Sequence, residues 1–253
     1  MITGPQARAL PETLAGMGAG EMARRVIYCD EVGSTQDTLM RRADGEPDGA
    51  VLVAGRQLCG RGRMGRSWAS PPGTLTFSVL LRPDIPPDMS GIAMLGAAVS
   101  LYDTIREYIP GARLEWPNDI MADGKLAGIV LDSSVADVLE WVVVGVGVNV
   151  ANDPREVAEE LTSDGSFGGS DSVHLHAAEA SAYDILAGFL ARLYSYHSSM
   201  GRDAHHVISA YQKRCWNVGR QIRRGDVLGT AQGIDRDGAL LVETEAGMRR
   251  VLF

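Results

Sequence analysis

Residues 60–66 read Gly60-Arg61-Gly62-Arg63-Met64-Gly65-Arg66. Three guanidinium groups that keep their charge have no place in an apolar interior. Three glycines free the backbone for positive φ and let a ligand approach the main chain. The segment is therefore a loop, and the rest of the chain must supply a scaffold that carries it. Before it, the apolar run 50–54 has the pattern of a strand buried on both faces. After it come the turn-rich residues 67–73 and then the strand-like Thr74-Leu75-Thr76-Phe77-Ser78-Val79-Leu80-Leu81. The loop thus joins strand to strand. Gly60, Gly62 and Gly65 do satisfy Gly-x-Gly-x-x-Gly, but a dinucleotide fingerprint must open a helix directly. No Gly-Lys-Ser/Thr follows either, which excludes a phosphate-binding P-loop. A solvated basic loop is the plainer alternative; an anion-binding flap is the sharper one, since arginine fits carboxylate or phosphate oxygens bidentately.

The remaining pattern predicts an α+β fold. Residues 1–24 read as a short helix with loose ends, 26–32 as a strand, and 34–43 as a helix capped by Ser34 or Thr35. A long helix is expected over 90–109, ending before Pro110. A strand pair turns at 122–124, with 125–132 as its second arm, followed by a β-branched strand over 140–150. A flexible surface loop is expected at 164–172, and helices at 177–199 and 204–216. From 218 onward the texture changes to short alternating strands. Strands and helices do not alternate regularly, so a mixed sheet covered by helices fits better than a doubly wound fold. The expected division is a catalytic-sized domain over 1–217 and a small all-β domain over 218–253.

The chain has 253 residues and a formal net charge of −8. An acidic body disfavours nucleic acid as a partner, and makes the basic 60–66 segment a local exception suited to a small anion. Cys29, Cys59 and Cys215 are few, scattered and odd in number, which points to a reducing cytoplasm rather than a disulfide framework. No leader pattern opens the sequence, and no apolar stretch is long enough to span a bilayer. A cytoplasmic protein is expected.

Four further segments place polar or glycine residues where packing alone does not need them: Ser34-Thr35-Gln36, Trp116-Pro117-Asn118-Asp119, Lys125-Leu126-Ala127-Gly128-Ile129 and Gly145-Val146-Gly147-Val148-Asn149. Taken singly, each has a bland explanation. Ser34 and Thr35 could be a helix cap, Lys125 a solvated hairpin residue, Trp68 and Trp116 core aromatics, and Asn149 a strand-end turn residue. His174 and His176 lack an attached carboxylate or cysteine cluster in sequence, so metal binding there is not expected.

Together and in this order, the segments resemble the biotin–protein ligase family from about residue 26 to the end. That resemblance implies a biotin/lipoate ligase-like catalytic domain with a small C-terminal SH3-like β-barrel. It implies a two-step reaction: biotin and ATP form biotinyl-5′-AMP and pyrophosphate, and the adenylate then acylates a lysine of a biotin carboxyl carrier protein. By resemblance the catalytic residues are Lys125, Arg61, Arg63 and Asp119, with Asp119 either holding Mg²⁺ or orienting Lys125. The biotin side comprises Ser34, Thr35, Gln36, Gln57, Gly60, Arg61, Gly62, Arg63, Lys125 and Gly128. The ATP side comprises Arg61, Arg63, Arg66, Trp68, Asn118, Lys125 and Asn149, with Trp68 packed on adenine and Asn149 reading its edge.

Larger family members carry an N-terminal DNA-binding domain. About 25 residues precede the first expected strand here, so the monofunctional form is expected, with no nucleic-acid or membrane partner and with pairing as a homodimer. Three positions depart from the family pattern. Gln36 and Asp37 follow Ser34-Thr35 where Asn often comes first, Met64 stands in place of a further arginine, and Cys59 is uncommon before the loop. The rival readings are a lipoate or octanoate ligase of the same fold and a non-catalytic biotin sensor.

Overall fold

The computed structural model describes residues 1–156 and 169–252. In chain order the elements are α1 (Gly4–Gly16), β1 (Val26–Val32), α2 (Thr35–Arg42), β2 (Val51–Gln57), β3 (Gly60–Arg61), β4 (Ser67–Trp68), β5 (Thr74–Leu81), α3 (Gly91–Ile105), β6 (Arg113–Glu115), β7 (Asp119–Met121), β8 (Lys125–Val135), β9 (Leu139–Asn149), α4 (Ala182–Met200), α5 (Ala204–Arg214), β10 (Gln221–Arg224), β11 (Val227–Ile234), β12 (Leu240–Thr244) and β13 (Gly247–Val251).

Seven strands form one mixed sheet in the order β1-β2-β5-β9-β8-β7-β6, in which β1 and β2 run parallel and the other pairs antiparallel. Side chains alternate across a strand, and that alternation divides the sheet's two faces. Leu75, Phe77, Val79 and Leu81 of β5, with Val142, Val144, Val146 and Val148 of β9, enter the main core. α1, α3, α4 and α5 contribute to the same core, for example through Leu10, Leu95, Phe189 and Tyr211. The opposite face is only partly covered. There Leu52, Leu80 and Val143 pack with Leu39 and Ala43 of α2 in a small second cluster.

Beyond α2 that second face carries Thr74, Thr76 and Ser78 on β5 beside Asn149, Gly147 and Gly145 on β9. Gly128, Val130 and Asp132 on β8 continue the row, opposite Gly147, Gly145 and Val143. The sheet thus presents a strip of small and polar residues just past the end of its second core.

The mixed sheet and its helices match the sequence expectation, and several boundaries move. α1 is the expected short helix, but its start is fixed rather than loose: Thr3 and Gln6 form a reciprocal capping box, and Leu10 and Leu14 are wholly buried. α3 closes at Ile105, and residues 106–109 continue as turns. α4 begins at Ala182, five residues later than expected, because Ser181 caps it through Asp184 N. Part of the 164–172 stretch lies outside the described residues. Asp171 and Ser172 within it are buried, and Ser170 pairs with Lys125, so this part is packed structure rather than a surface loop.

The C-terminal strands form a four-stranded antiparallel meander, β10-β11-β12-β13. Trp116 ties this unit to the large sheet: its indole N–H donates to Gly238 O at 3.1 Å, and Arg224 donates to Trp116 O at 3.0 Å.

Candidate active site

A cavity with an empty volume of about 660 Å³, the open solvent at its mouth included, opens on the strip of small and polar residues. It brings together the 60–66 flap, the start of α2, the start of β8 and the glycines of β9. Of the sequence-expected residues, Ser34, Thr35, Gln36, Gln57, Arg61, Gly62, Arg63, Arg66, Trp68, Asn118, Lys125 and Gly128 all line it.

Ser34 is both cap and wall. Its hydroxyl accepts from Asp37 N at 3.3 Å, while the residue lies buried at the cavity. Thr35 donates through its backbone N–H and its hydroxyl to Gln57 Oε1, at 2.7 and 3.0 Å. Ser78 Oγ lies 2.9 Å from Thr35 Oγ1 and 3.1 Å from Gln36 Oε1. Gln36 reaches across the sheet, donating to Asp132 Oδ2 at 3.0 Å and Val143 O at 2.9 Å. A Cβ at Gly145 would sit 2.5 Å from Gln36 Oε1, so the longer side chain needs that glycine. This end of the cavity is a neutral, pre-arranged array of hydroxyls and amides.

The other end is ionic. Lys125 is buried, and its Nζ stands 2.7 Å from Asp119 Oδ1, an ion pair rather than a directed hydrogen bond. The lysine stem folds over Gly128, where a Cβ would come within 3.1 Å of Cε, and Nζ lies 5.9 Å from the centre of the Trp68 ring. Arg63 donates to Asn118 Oδ1 at 2.8 Å, and Asn118 Nδ2 donates to Ile129 O at 2.7 Å, so the flap is moored to β8. Burial pushes the Arg63 guanidinium below its ordinary pKa and Asp119 opposes that shift; it stays charged at neutral pH. Arg61 swings the other way, to Asp37 at 2.6 Å and Asp132 at 3.8 Å. Its hydrogen bond to the Asp37 carboxylate raises its pKa.

Trp68 closes the floor. A Cβ at Gly147 would lie 2.3 Å from its Cε2 and one at Gly128 would lie 3.3 Å from its Cζ3, so the indole rests directly on two glycines. Met64 at the flap's tip is 89% exposed with φ +55°, and Gly65 follows at φ +75°. The pair makes the sharp turn that glycine-rich composition allows.

Three expected residues lie off the cavity wall. Asp119 acts behind Lys125, and Gly60 sits in the strand under Trp68. Asn149 is wholly buried, its amide donating to Lys125 O at 3.1 Å and Ser170 Oγ at 3.0 Å. The structure adds Ser78, Asp132, Gly145 and Gly147 as working parts. For Ser78, Gly145 and Gly147 the signal was in the sequence: polar or glycine residues recur at spacing two in 74–78 and 145–149, the period of one strand face. Among the described residues one group of metal-type donors occurs, Asp123, Asp171 and His176, which the sequence spacing did not reveal.

The fold and site together define a small-molecule enzyme pocket with a neutral hydrogen-bonding end and a cationic end under an arginine-rich flap. Comparison with known proteins narrows this. The Biotin/lipoate A/B protein ligase family matches residues 28–149, and the Biotin protein ligase C terminal domain matches residues 218–253. A biotin–[acetyl-CoA-carboxylase] ligase of Mycobacterium tuberculosis is 34% identical over 251 residues, spanning 93% of this chain and 89% of the relative. The bifunctional ligase/repressor BirA of Bacillus subtilis is 30% identical over 99% of this chain and 79% of its own length. Among solved structures, the biotin protein ligase of Aquifex aeolicus in complex with biotin and ATP superposes with a TM-score of 0.72 at 24% identity, covering 91% of this chain and 96% of that one. The chain belongs to the biotin–protein ligase family.

Proposed function

We propose that this chain is a biotin–[biotin carboxyl carrier protein] ligase. The observation that carries the reading is that the arginine flap and Lys125 share one cavity with the hydroxyl-amide array at its far end. That array, Ser34, Thr35 and Gln57, suits the neutral ureido ring, which offers two N–H donors and one carbonyl acceptor. Gln36 shapes this end and Gly128 offers backbone. The valeryl carboxylate then points to Lys125 and the arginines.

In the first step a carboxylate oxygen of biotin attacks the α-phosphorus of ATP, a P–O bond breaks, and pyrophosphate leaves. Two anions must approach, so fixed positive charge lowers the barrier. Lys125 holds carboxylate and α-phosphate together, while Arg63, Arg66 and Arg61 face the phosphates as the flap settles. Arg61 must leave Asp37 to do so. Asn118 keeps Arg63 aimed. Adenine packs on Trp68. The Asn149 donors are already engaged, so only its unpartnered Oδ1 remains for the adenine amino group. Thr74 and Thr76 hydroxyls, buried without partners nearby on the same strip, are further candidates to meet the nucleotide.

Mg²⁺ bound with the ATP phosphates would neutralise charge on the departing pyrophosphate; Asp119, off the cavity wall and paired with Lys125, suits orienting that lysine rather than holding the metal. In the second step the ε-amine of the carrier lysine attacks the adenylate carbonyl, an amide forms, and AMP leaves with loss of a proton. The closed flap keeps water from the mixed anhydride until then.

Biotin-dependent exchange of pyrophosphate into ATP tests the reading. Exchange with biotin supports it; exchange with lipoate or octanoate instead would move the chain to that specificity, and no exchange would leave a sensor.

A further inference from the structure

We propose that Asp171, held by His176, is a positioning residue that sets Lys125 for adenylate formation. The inference rests on the ligase reading above and concerns residues that reading does not use.

Lys125 begins β8 directly after the turn at 122–124, the least supported point of that hairpin. β7 and β8 slip register between Ile120 and Met121, and Ala122 N bonds only across the turn to Gly124 O at 2.9 Å. A hairpin end of this kind frays unless something outside holds it. The segment after the undescribed residues does so.

Asp171 is 4% exposed, and its Oδ2 accepts the backbone N–H of Asp123 at 3.1 Å and of Gly124 at 3.3 Å. The backbone N–H of Asp171 donates to Lys125 O at 3.1 Å, and Lys125 N–H donates to Gly169 O at 3.0 Å. One residue therefore grips the chain on both sides of Lys125. The fit is close: a Cβ at Gly124 would stand 2.8 Å from Ser170 C and O.

His176 Nε2 lies 2.8 Å from Asp171 Oδ2, and Ser172 N donates to Oδ1 at 2.8 Å. An ionised carboxylate only accepts, so Nε2 carries the proton in this contact and His176 fixes the carboxylate's orientation. His174 in turn anchors the segment just past the end of β9, donating its backbone N–H to Val150 O at 2.8 Å.

Asp123, Asp171 and His176 also bring metal-type donor atoms within 4.8 Å of one another. The N–H groups of Asp123, Gly124 and Ser172 all point at the Asp171 oxygens. Their positive ends occupy the directions a cation would need, so this is an anchor for backbone rather than a metal centre.

The anchor matters to chemistry because Lys125 must meet carboxylate and α-phosphate at once, and a misplacement of about 1 Å can cost on the order of 10²-fold. The biotin array stands on α2, β2 and β5, away from this turn.

The test is a double-mutant cycle on single-turnover biotinyl-AMP formation, with biotin affinity measured alongside. Asp171→Ala is expected to slow adenylate formation roughly 10- to 100-fold, with biotin affinity falling by much less, only through the share Lys125 contributes at the carboxylate. In a Lys125→Ala background the same change is expected to add less than about a twofold loss, because the group it positions is gone. A merely structural role would lower the rate equally in both backgrounds, and that result overturns the proposal, as does an unchanged rate in Asp171→Ala. If Asp171→Ala fails to fold, the cycle is run with Asp171→Asn, which keeps an acceptor oxygen, and with His176→Gln, under the same criteria. Wild-type enzyme that forms no biotin-dependent adenylate would remove the ligase reading itself, whereas active wild type with an indifferent Asp171 removes only this inference.

Discussion

The Lys125–Asp119 pair separates stability from chemistry. Nζ and Oδ1 are 2.7 Å apart, and both side chains are 9% exposed. At an effective dielectric of about 20, two unit charges at that separation attract by about 6 kcal/mol, most of which offsets the loss of hydration on burial. The pair is thus near neutral as a unit, but removing one member strands the other. Lys125→Met keeps the apolar stem and leaves Asp119 buried and uncompensated. The expected cost is about 3–5 kcal/mol. At roughly 2–4 °C per kcal/mol for a chain of this size, Tm should fall by roughly 6–20 °C. Adenylate formation should slow by roughly 10²–10³-fold, the usual loss for one aimed charge. Adding Asp119→Asn removes the stranded charge, so the double variant should regain most of the Tm and none of the rate. Calorimetry and single-turnover adenylate formation read the two quantities separately. If Lys125→Met melts with wild type, the buried-pair argument is wrong. If the double variant recovers rate along with Tm, Lys125 serves the fold and not the reaction.

Gly147→Ala should expel Trp68 from the floor, since the new Cβ would meet the indole at 2.3 Å while β9 is fixed between two strands; ATP affinity should fall by roughly 5- to 150-fold, the loss of base stacking worth about 1–3 kcal/mol, and tryptophan fluorescence should shift toward that of an exposed ring. Unchanged fluorescence and ATP affinity would refute the packing. Arg63→Ala should cost about 0.5–1.5 kcal/mol through its lost bond to Asn118, and biotinyl-AMP should dissociate faster; a wild-type off-rate would end the flap's retaining role. Burial opposes ionisation of Asp48, but its contact with His197 and the Arg82 N–H outweigh that and hold its pKa below the ordinary value. The resulting stability is present above the unfolded carboxylate value of about 3.9 and is lost as pH falls through the lower folded value. Asp48→Asn should therefore melt below wild type at pH 5–6, with the gap closing below about pH 4. An equal gap at pH 3 would refute the assignment.

What the sequence made legible follows a physical divide. Local signals transferred well: the apolar runs became β2, β5 and β9, and the Ser34 cap placed α2. The flap emerged as a strand-to-strand hairpin because glycine and arginine admit little else at that density. Boundaries failed where a tertiary contact overrode pattern. Residues 1–24 read as a short helix with loose ends because small residues carry weak periodicity, and α1 is that helix, with Leu10 and Leu14 in the core against α4. The 164–172 stretch read as a flexible surface loop because Gly and Ser dominate it, whereas Ser170 pairs with Lys125 and Asp171 and Ser172 are buried.

The site divides in the same way. Residues that meet ligand through charge or hydroxyl announced themselves by type. Among those that act by holding the others, Asp119 behind Lys125, Asn118 behind Arg63 and Asn149 at the Lys125 backbone stood out only through their motifs, while Asp132 beside Arg61 and Gln36, and Asp171 around the Lys125 backbone, did not stand out at all. Each is an ordinary polar residue whose meaning depends on which strand lies beside it. The Asp37 and Asp132 carboxylates illustrate the consequence. Both neutralise Arg61 in this state, so recruiting that arginine to a phosphate means exchanging two protein carboxylates for the ligand. On the proposed reading, the flap's charge is held by acids at the rim that a nucleotide would have to outcompete before the cavity reached its full positive character.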